Sequence, residues 1–245
     1  MVLSFVAVFL VSVLQTGNTI KDNDDIVHVT DTMPNNTDST FKGVIDKERR
    51  FQIESNHTAT HLLNLALKNI LGNHVEQRGS MISEESFRFD FSHQSKLSTE
   101  EINKVEDYVN NLINEGIDLV EDRSADYKEV IKKGAVGLFS EKYGEKVRTI
   151  KFNDSYELCG GTHVKNTKEV GEFKVISQSS IASGIRRVEA LRAKQLQDYE
   201  KSLKKDKSLK EKNLKEQVDL IKEELSKFKI KPDFKDNVDL SENLK

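Results

Sequence analysis

The chain has 245 residues, 36% hydrophobic and 32% charged, enough for one large domain or two smaller ones around a real buried core. With 38 Lys and Arg against 41 Asp and Glu, the formal charge of -3 excludes a global basic field, so any nucleic-acid contact needs a local patch. One cysteine excludes a disulfide framework, and the lack of Trp, the two prolines and the absence of an apolar run of roughly 18–20 residues exclude collagen-like, mucin-like and helical-membrane classes, leaving a soluble, cytoplasmic chain as the expectation.

Between Val2 and Leu14 only Ser4 and Ser12 interrupt an apolar run with the length of a signal-peptide core. No Lys or Arg precedes it, and no clear small-x-small cleavage site follows at Gln15-Thr16-Gly17. Its valines also suit a buried strand, and a mis-called start is a third reading, so residues 1–16 stay open. Lys21–Ser39 is polar, with an extended-looking Ile26–Thr30. Together with Phe41–Ile45 it is expected to form a partial β-barrel-like region over residues 17–50.

The first firm helix is expected from about Asn56 to Leu71. Ser55 or Asn56 would cap it, Leu62, Leu63, Ala66, Leu67, Ile70 and Leu71 form its stripe, and Gly72 fits the C′ position. Strands are expected at Gly79–Ile82 and Phe87–Phe91, the latter alternating apolar and charged residues. Ser98 and Glu101 form a capping box for a second helix, and a shorter helix near Asp126–Lys133 ends at Gly134. Further strands are expected at Val147–Phe152, Glu172–Ser177 and Ile185–Ala190.

From about Arg192 Lys and Glu dominate, which predicts a charged helix over residues 192–231. Leu214, Val218, Ile221, Leu225 and Phe228 step by 4, 3, 4 and 3, a short heptad seam that wants a partner surface. Residues 232–245, beyond Pro232, read as a disordered tail. The order predicts an α+β fold: helices packed on one face of a largely antiparallel sheet, a reduced N-terminal β-region and a C-terminal charged helix.

Two fragments carry chemistry. In Asn56-His57-Thr58-Ala59-Thr60-His61 the histidines are four apart, so both imidazoles share one helical face. In Leu158-Cys159-Gly160-Gly161-Thr162-His163 two glycines let the backbone fold tightly enough for Cys159 and His163 to face one point. A thiolate with imidazoles is a zinc-favouring set. The alternatives are a helix-surface or core histidine pair and a tight turn with a buried thiol. Position 58 is Thr, so the general-base Glu of zincin proteases is absent. His28, His74 and His93 read as solvated or structural groups.

The run Asn56–Leu63, then His74–Ser80 and Phe87–His93, resembles the editing domain of alanyl-tRNA synthetases. Ala135–Gly144, Glu157–Val164 and Gly184–Ala190 fit the same family, so the resemblance covers roughly residues 17–195, with residues 51–191 as the editing domain. The second domain of threonyl-tRNA synthetases shares the His and Cys pairs.

The resemblance implies hydrolysis of Ser or Gly wrongly esterified to tRNA(Ala), with Zn2+ held by His57, His61, Cys159 and His163. It assigns Gln77 and Arg186 to substrate binding or water positioning. A synthetase site for Ala discriminates poorly against such small neighbours, and a second hydrolytic site restores selectivity. The expected partner is the tRNA(Ala) acceptor end. The helix around Leu214–Phe228 could also serve self-association or a synthetase subunit, and no membrane is expected. The family's aminoacylation domain has no counterpart here, so no aminoacylation is expected of this chain alone.

Four protein ligands normally close a zinc site, whereas catalytic sites keep a position open. An inactive tRNA-binding or dimerising module with structural zinc is therefore the competing expectation, and a secreted zinc protein using Met1–Leu14 as a signal is a third. Residues 160–194 hold seven basic residues (Lys165, Lys168, Lys174, Arg186, Arg187, Arg192 and Lys194) against three acidic ones, a local excess that could meet acceptor-stem phosphates or form a solvated face.

Overall fold

The computed structural model describes residues 5–8, 13–23, 25–34, 36–37, 40–137 and 143–228. The expected disordered tail over residues 232–245 lies outside the described residues, as does the 138–142 part of the Ala135–Gly144 segment. The chain divides into two compact units, Met1–Ala193 and Lys194–Lys245.

The first unit opens with strands β1 (Phe5–Val8), β2 (Val13–Asp22), β3 (Asp25–Thr30) and β4 (Gly43–Ile45), which form one antiparallel sheet in the order β3-β2-β1-β4. The described part of the apolar N-terminal run is thus strand, and β2 passes through the expected junction at residues 16 and 17.

Helix α1 spans Lys47–Leu71, beginning nine residues earlier than expected. Its cap is Asp46, whose carboxylate accepts from Arg49 N at 3.0 Å. Ser55 and Asn56 look like capping residues in sequence, but both are buried within the helix. The Asn56 amide instead donates to Ser83 O at 2.8 Å and accepts from Arg192 Nε at 2.7 Å. Tertiary partners therefore override the capping preference of this pair. Gly72 ends the helix as expected, its N–H donating to Lys68 O.

Strands β5 (Gln77–Ile82) and β6 (Phe87–Ser92) follow, then helix α2 (Thr99–Glu115). The expected capping box is present, with Ser98 N donating to Glu101 Oε2 at 2.7 Å and Glu101 N to Ser98 Oγ at 3.2 Å. Strand β7 (Val120–Asp126), helix α3 (Tyr127–Lys132), β8 (Lys146–Phe152) and β9 (Ser155–Leu158) come next, then β10 (Phe173–Ala182) and β11 (Ile185–Arg192). Here β7 and β9 are additions to the sequence reading. β7 is mostly polar and exposed, so apolar alternation gave no signal. β10 runs five residues beyond its expected end because its polar half pairs with β11, Ser179 opposite Arg187 and Ser180 opposite Arg186.

Two further antiparallel sheets result, β10-β11-β6-β5 and β7-β8-β9. Helices α1 and α2 pack together and against the four-stranded sheet, so the α+β arrangement is as expected, with the strands divided among three sheets. The core lies in that layer, between Leu62, Leu63 and Leu67 of α1, Val105 and Val109 of α2, and Phe87, Phe89 and Phe91 of β6. It fixes α1 rigidly over the sheet, which sets the position of everything α1 carries.

The described residues of the second unit form most of helix α4 (Ala193–Lys227). Its surface carries i,i+4 pairs such as Lys207–Glu211 and Lys212–Glu216, which support an exposed helix. Leu214, Ile221 and Phe228 of the seam are exposed. No helix among the described residues is long and apolar enough to cross a membrane.

Candidate metal centre and its cavity

Helix α1 brings His57 and His61 to the turn that follows β9, where Cys159 and His163 stand. The ligand atoms of these four residues all lie within 4.8 Å of one another. Cys159 Sγ is 3.5 Å from His57 Nε2 and 3.4 Å from His163 Nε2. A tetrahedral zinc, with about 2.3 Å to sulfur and about 2.0 Å to nitrogen, would separate those atoms by about 3.5 Å, so the donor set and its spacing fit the ion.

Each imidazole is turned by a partner at its other nitrogen. His57 Nδ1 is 3.2 Å from Thr162 O, and His163 Nδ1 is 3.2 Å from Thr58 Oγ1. His61 Nδ1 stands 3.3 Å from Glu157 Oε2, an electrostatic contact without hydrogen-bond alignment. Such outer partners set the tautomer that leaves Nε2 for a metal. Glu157 is itself held, its Oε1 accepting from Asn64 Nδ2 at 2.9 Å.

Burial disfavours charge throughout. Desolvation, with the neighbouring His61 second, lowers the His57 pKa to about 3, and burial lowers that of His61 to about 4. Burial also pushes His163 well below the usual histidine range and raises both the Cys159 thiol and the Glu157 carboxyl. All three imidazoles are therefore neutral near pH 7, the state that binds a metal.

Arg148 shapes the turn from below. Its NH1 donates to Cys159 O at 2.8 Å and also to Gly161 O, while its Nε donates to Glu121 at 2.7 Å. Sequence reasoning missed Arg148, Glu157 and Thr58. Thr58, next to His57, and Glu157, on β9 two residues before Cys159, left local traces; Arg148 left none.

The centre borders a cavity of about 360 Å³ whose walls include His57, His61, Cys159, Thr60, Gln77 and Glu157. Gln77 is thus brought to the centre. Arg186 is not among the residues lining that cavity. It stands in the same cross-strand row, with Gln77 opposite Phe91 and Phe91 opposite Arg186. Its NH2 donates to Gln178 Oε1 at 3.3 Å, and its Nε is buried without a hydrogen-bond partner.

Part of the basic excess over residues 160–194 is spent inside the fold. Arg192 is only 2% exposed, and Arg187 is spent on a bidentate pair with Asp90 at 2.6 and 2.8 Å. Lys165, Lys168 and Lys174 remain exposed. His74 and His93, expected as solvated or structural groups, meet with Nε2 to Nδ1 at 2.8 Å.

Residues 147–189, which hold both Cys159 and His163, match the family described as the threonyl and alanyl tRNA synthetase second additional domain. The chain is 50% identical over 187 residues to the alanine–tRNA ligase of Christiangramia forsetii, an alignment covering 76% of this chain and 22% of that protein. It is 50% identical over 178 residues to that of Cytophaga hutchinsonii, covering 72% and 20%, and 48% identical over 174 residues to that of Porphyromonas gingivalis, covering 71% and 20%. The chain therefore spans about a fifth of the length of the curated relatives it matches. The chain is therefore similar, over about three quarters of its length, to one segment of alanine–tRNA ligases, and over residues 147–189 to the second additional domain.

Proposed function

We propose that the chain hydrolyses the ester joining serine or glycine to tRNA(Ala), with zinc held by His57, His61, Cys159 and His163. One observation carries the reading: the four His and Cys donors converge, and three of them, His57, His61 and Cys159, line a small cavity that Gln77 also lines. In this hydrolysis the water oxygen adds to the acyl carbon and the bond to the ribose oxygen breaks. The water's proton ends on that oxygen, releasing the free amino acid and intact tRNA. Zinc, when bound, supplies Lewis-acid charge at this wall.

The protein's own groups do the sorting. The cavity admits small side chains, and the amide of Gln77 has both a donor and an acceptor to hold a serine hydroxyl or a water. For the seryl ester, a site built to hydrogen-bond a hydroxyl discriminates against alanine, which lacks it. Thr60, at the cavity wall, has its hydroxyl proton committed to Asn56 O at 2.8 Å, so its Oγ1 is available as an acceptor. Glu157 acts through His61 by fixing its ring. Arg186, in the row of Gln77, serves the tRNA side of the substrate. The acceptor end of tRNA(Ala) is then the partner, and the cytoplasm, where tRNA is charged, the location.

The four-ligand set supports a second reading, an inactive tRNA-binding or dimerising module in which zinc is structural. Deacylation of Ser-tRNA(Ala) and Ala-tRNA(Ala) by zinc-loaded and chelated protein separates the two. Hydrolysis of the seryl ester alone, lost on chelation, is expected. No hydrolysis by a folded, zinc-containing sample would establish the binding module instead.

A further inference from the structure

Residues 72–76 join α1 to β5 and lead straight into Gln77, the first residue of the strand. β5 is an edge strand, paired in its sheet with β6 alone. Its ladder also slips early: Gln77 stands opposite Phe91 and Gly79 opposite Asp90, which leaves Arg78 as a bulge. A bulge re-aims the side chains beside it, so the direction of Gln77 is set by how the chain ahead of it is held. There Glu76 N donates to Ser92 Oγ at 2.8 Å, Ser92 N to Glu76 O at 3.0 Å and Ser92 Oγ to His74 O at 2.6 Å. Beyond this join, the His74 ring meets the His93 ring.

The geometry of that meeting is specific. Nε2 of His74 and Nδ1 of His93 are 2.8 Å apart, the ring centres 5.1 Å apart and the ring planes inclined by 26°. The centre distance equals the nitrogen distance plus one ring radius at each end. Both nitrogens therefore lie on the line joining the ring centres, and the rings meet edge to edge rather than stacked. A metal ion held by both would need the nitrogens turned toward a point off that line. What fits on the line is a proton, one N–H donating to the facing lone pair, in the neutral pair or more strongly in the singly charged one. A second charge puts a hydrogen on both nitrogens and leaves no acceptor between them. Partial burial, then the charge of His74, hold His93 below the usual histidine range, with Glu101 of α2 acting against them and Arg186 of β11 with them. His93 is anchored in turn, its N–H donating to Gly184 O at 2.9 Å between β10 and β11.

We infer that His74 and His93 are positioning residues for Gln77: joined by one proton, they clasp the residues before β5 to the end of β6, and a second proton opens the clasp. Its consequence for activity rests on the hydrolytic reading above, in which the Gln77 amide holds the substrate or a water. Closed, the clasp fixes the segment ahead of the bulge from its exposed side, while Val75, buried in the core, fixes it from within. Open, it leaves that segment to Ser92 and Val75, and Gln77 gains freedom to turn at the bulge. Acid then slows hydrolysis by loosening Gln77, separately from any effect on the metal.

The test follows the side-chain amide signal of Gln77 by heteronuclear NMR in the full zinc-loaded chain, from about pH 8 to about pH 5, the range in which histidines titrate. The signal is assigned by its loss in Gln77→Glu. In the parent it is expected to shift with the midpoint of the His93 ring signals. His74→Gln and His93→Asn each place an amide at the junction, which donates to a neutral ring and accepts from a charged one, so the clasp stays closed at every pH. Both variants carry the same metal centre as the parent, so a shift present in the parent and absent from them belongs to the clasp. His74→Ala is expected to hold the signal at the parent's acid position even at high pH, and to lower kcat/KM for Ser-tRNA(Ala) about ten-fold at unchanged zinc content. His74→Gln is expected to restore the rate to within about two-fold of the parent. If His74→Ala fails to fold, His93→Ala takes its place. A Gln77 signal that ignores the His93 midpoint, or that is the same in the parent and the folded Ala variant, overturns the clasp. A signal that follows the pair in a chain unable to hydrolyse Ser-tRNA(Ala) upholds the clasp and overturns the hydrolytic reading instead.

Discussion

Gly161 lies against the ring of His57 so closely that a Cβ built on it would stand 2.1 Å from Cε1. No side chain fits there without moving the imidazole, and that imidazole is one of the four donors. Gly161→Ala must therefore displace either the turn, which Arg148 holds by two carbonyls, or His57 itself. The expected result is loss of most bound zinc, at a stability cost of about 1–3 kcal/mol for the overpacking. Metal analysis and a thermal melt check it; full zinc content in a folded variant would show that the turn yields freely.

Glu157 acts on the metal through His61. Glu157→Gln keeps the shape but replaces the carboxylate facing His61 Nδ1 with an amide that can present either O or N–H. Zinc affinity is expected to fall about 10–100-fold, the usual consequence of losing an outer partner of a histidine ligand. Competition with a chelator of known affinity measures this directly, and unchanged affinity would remove Glu157 from the centre.

Arg192 offers a stability test away from the centre. It is nearly fully buried and donates to Asn56 Oδ1, Val170 O and Gln52 O, acceptors on α1 and before β10. Arg192→Met fills much of the space but orphans these acceptors, each costing about 1–3 kcal/mol when left buried and unpaired. Denaturant unfolding should show a loss of several kcal/mol. A variant as stable as the parent would mean that water replaces the guanidinium.

Those residues also show what the sequence made legible. His57 with His61 and Cys159 with His163 are local pairs, and helical periodicity and a Gly-Gly turn are enough to aim each pair at one point. Their meeting requires α1 to cross the β9 turn, a relation between segments about a hundred residues apart that the family resemblance, not the spacing, supplied. Arg192 reads as one more surface cation among seven, because nothing local marks the four acceptors that draw it inside. Asn56 reads as a cap for the same reason: its partners, Ser83 and Arg192, lie on other elements.

Acid should destabilise the metal-free protein. In the unfolded chain histidines protonate near pH 6.5, whereas burial holds His57 near 3 and His61 near 4 in the folded state. Between these values the unfolded state binds more protons, so stability falls as pH falls. It should be full above about pH 6.5, decline through pH 5 and level off only below the folded values. Chemical denaturation of chelated protein from pH 7.5 to 4.5 checks the slope. A flat profile would mean that the imidazoles are more hydrated than their burial implies.

Cys159 decides how the centre is used. If all four donors are needed for the ion, Cys159→Ala should lose zinc as fully as His57→Ala, and any hydrolysis with it. If Cys159 yields its position to substrate or water in the working site, the Ala variant keeps zinc on three imidazoles, weakened about 10–100-fold, and still hydrolyses Ser-tRNA(Ala). The arrangement favours the second outcome. His57 and His163 are held by Thr162 and Thr58 and His61 faces the Glu157 carboxylate, whereas Cys159 Sγ receives the N–H of Gly161, at 3.4 Å, besides its contacts with the histidines. Its thiol is also the donor that burial drives toward the protonated state, so it is the donor least ready to bind without the metal's help. Paired zinc titrations and deacylation rates for the two variants separate the cases, and equal loss of metal from both would make the centre a closed, structural one.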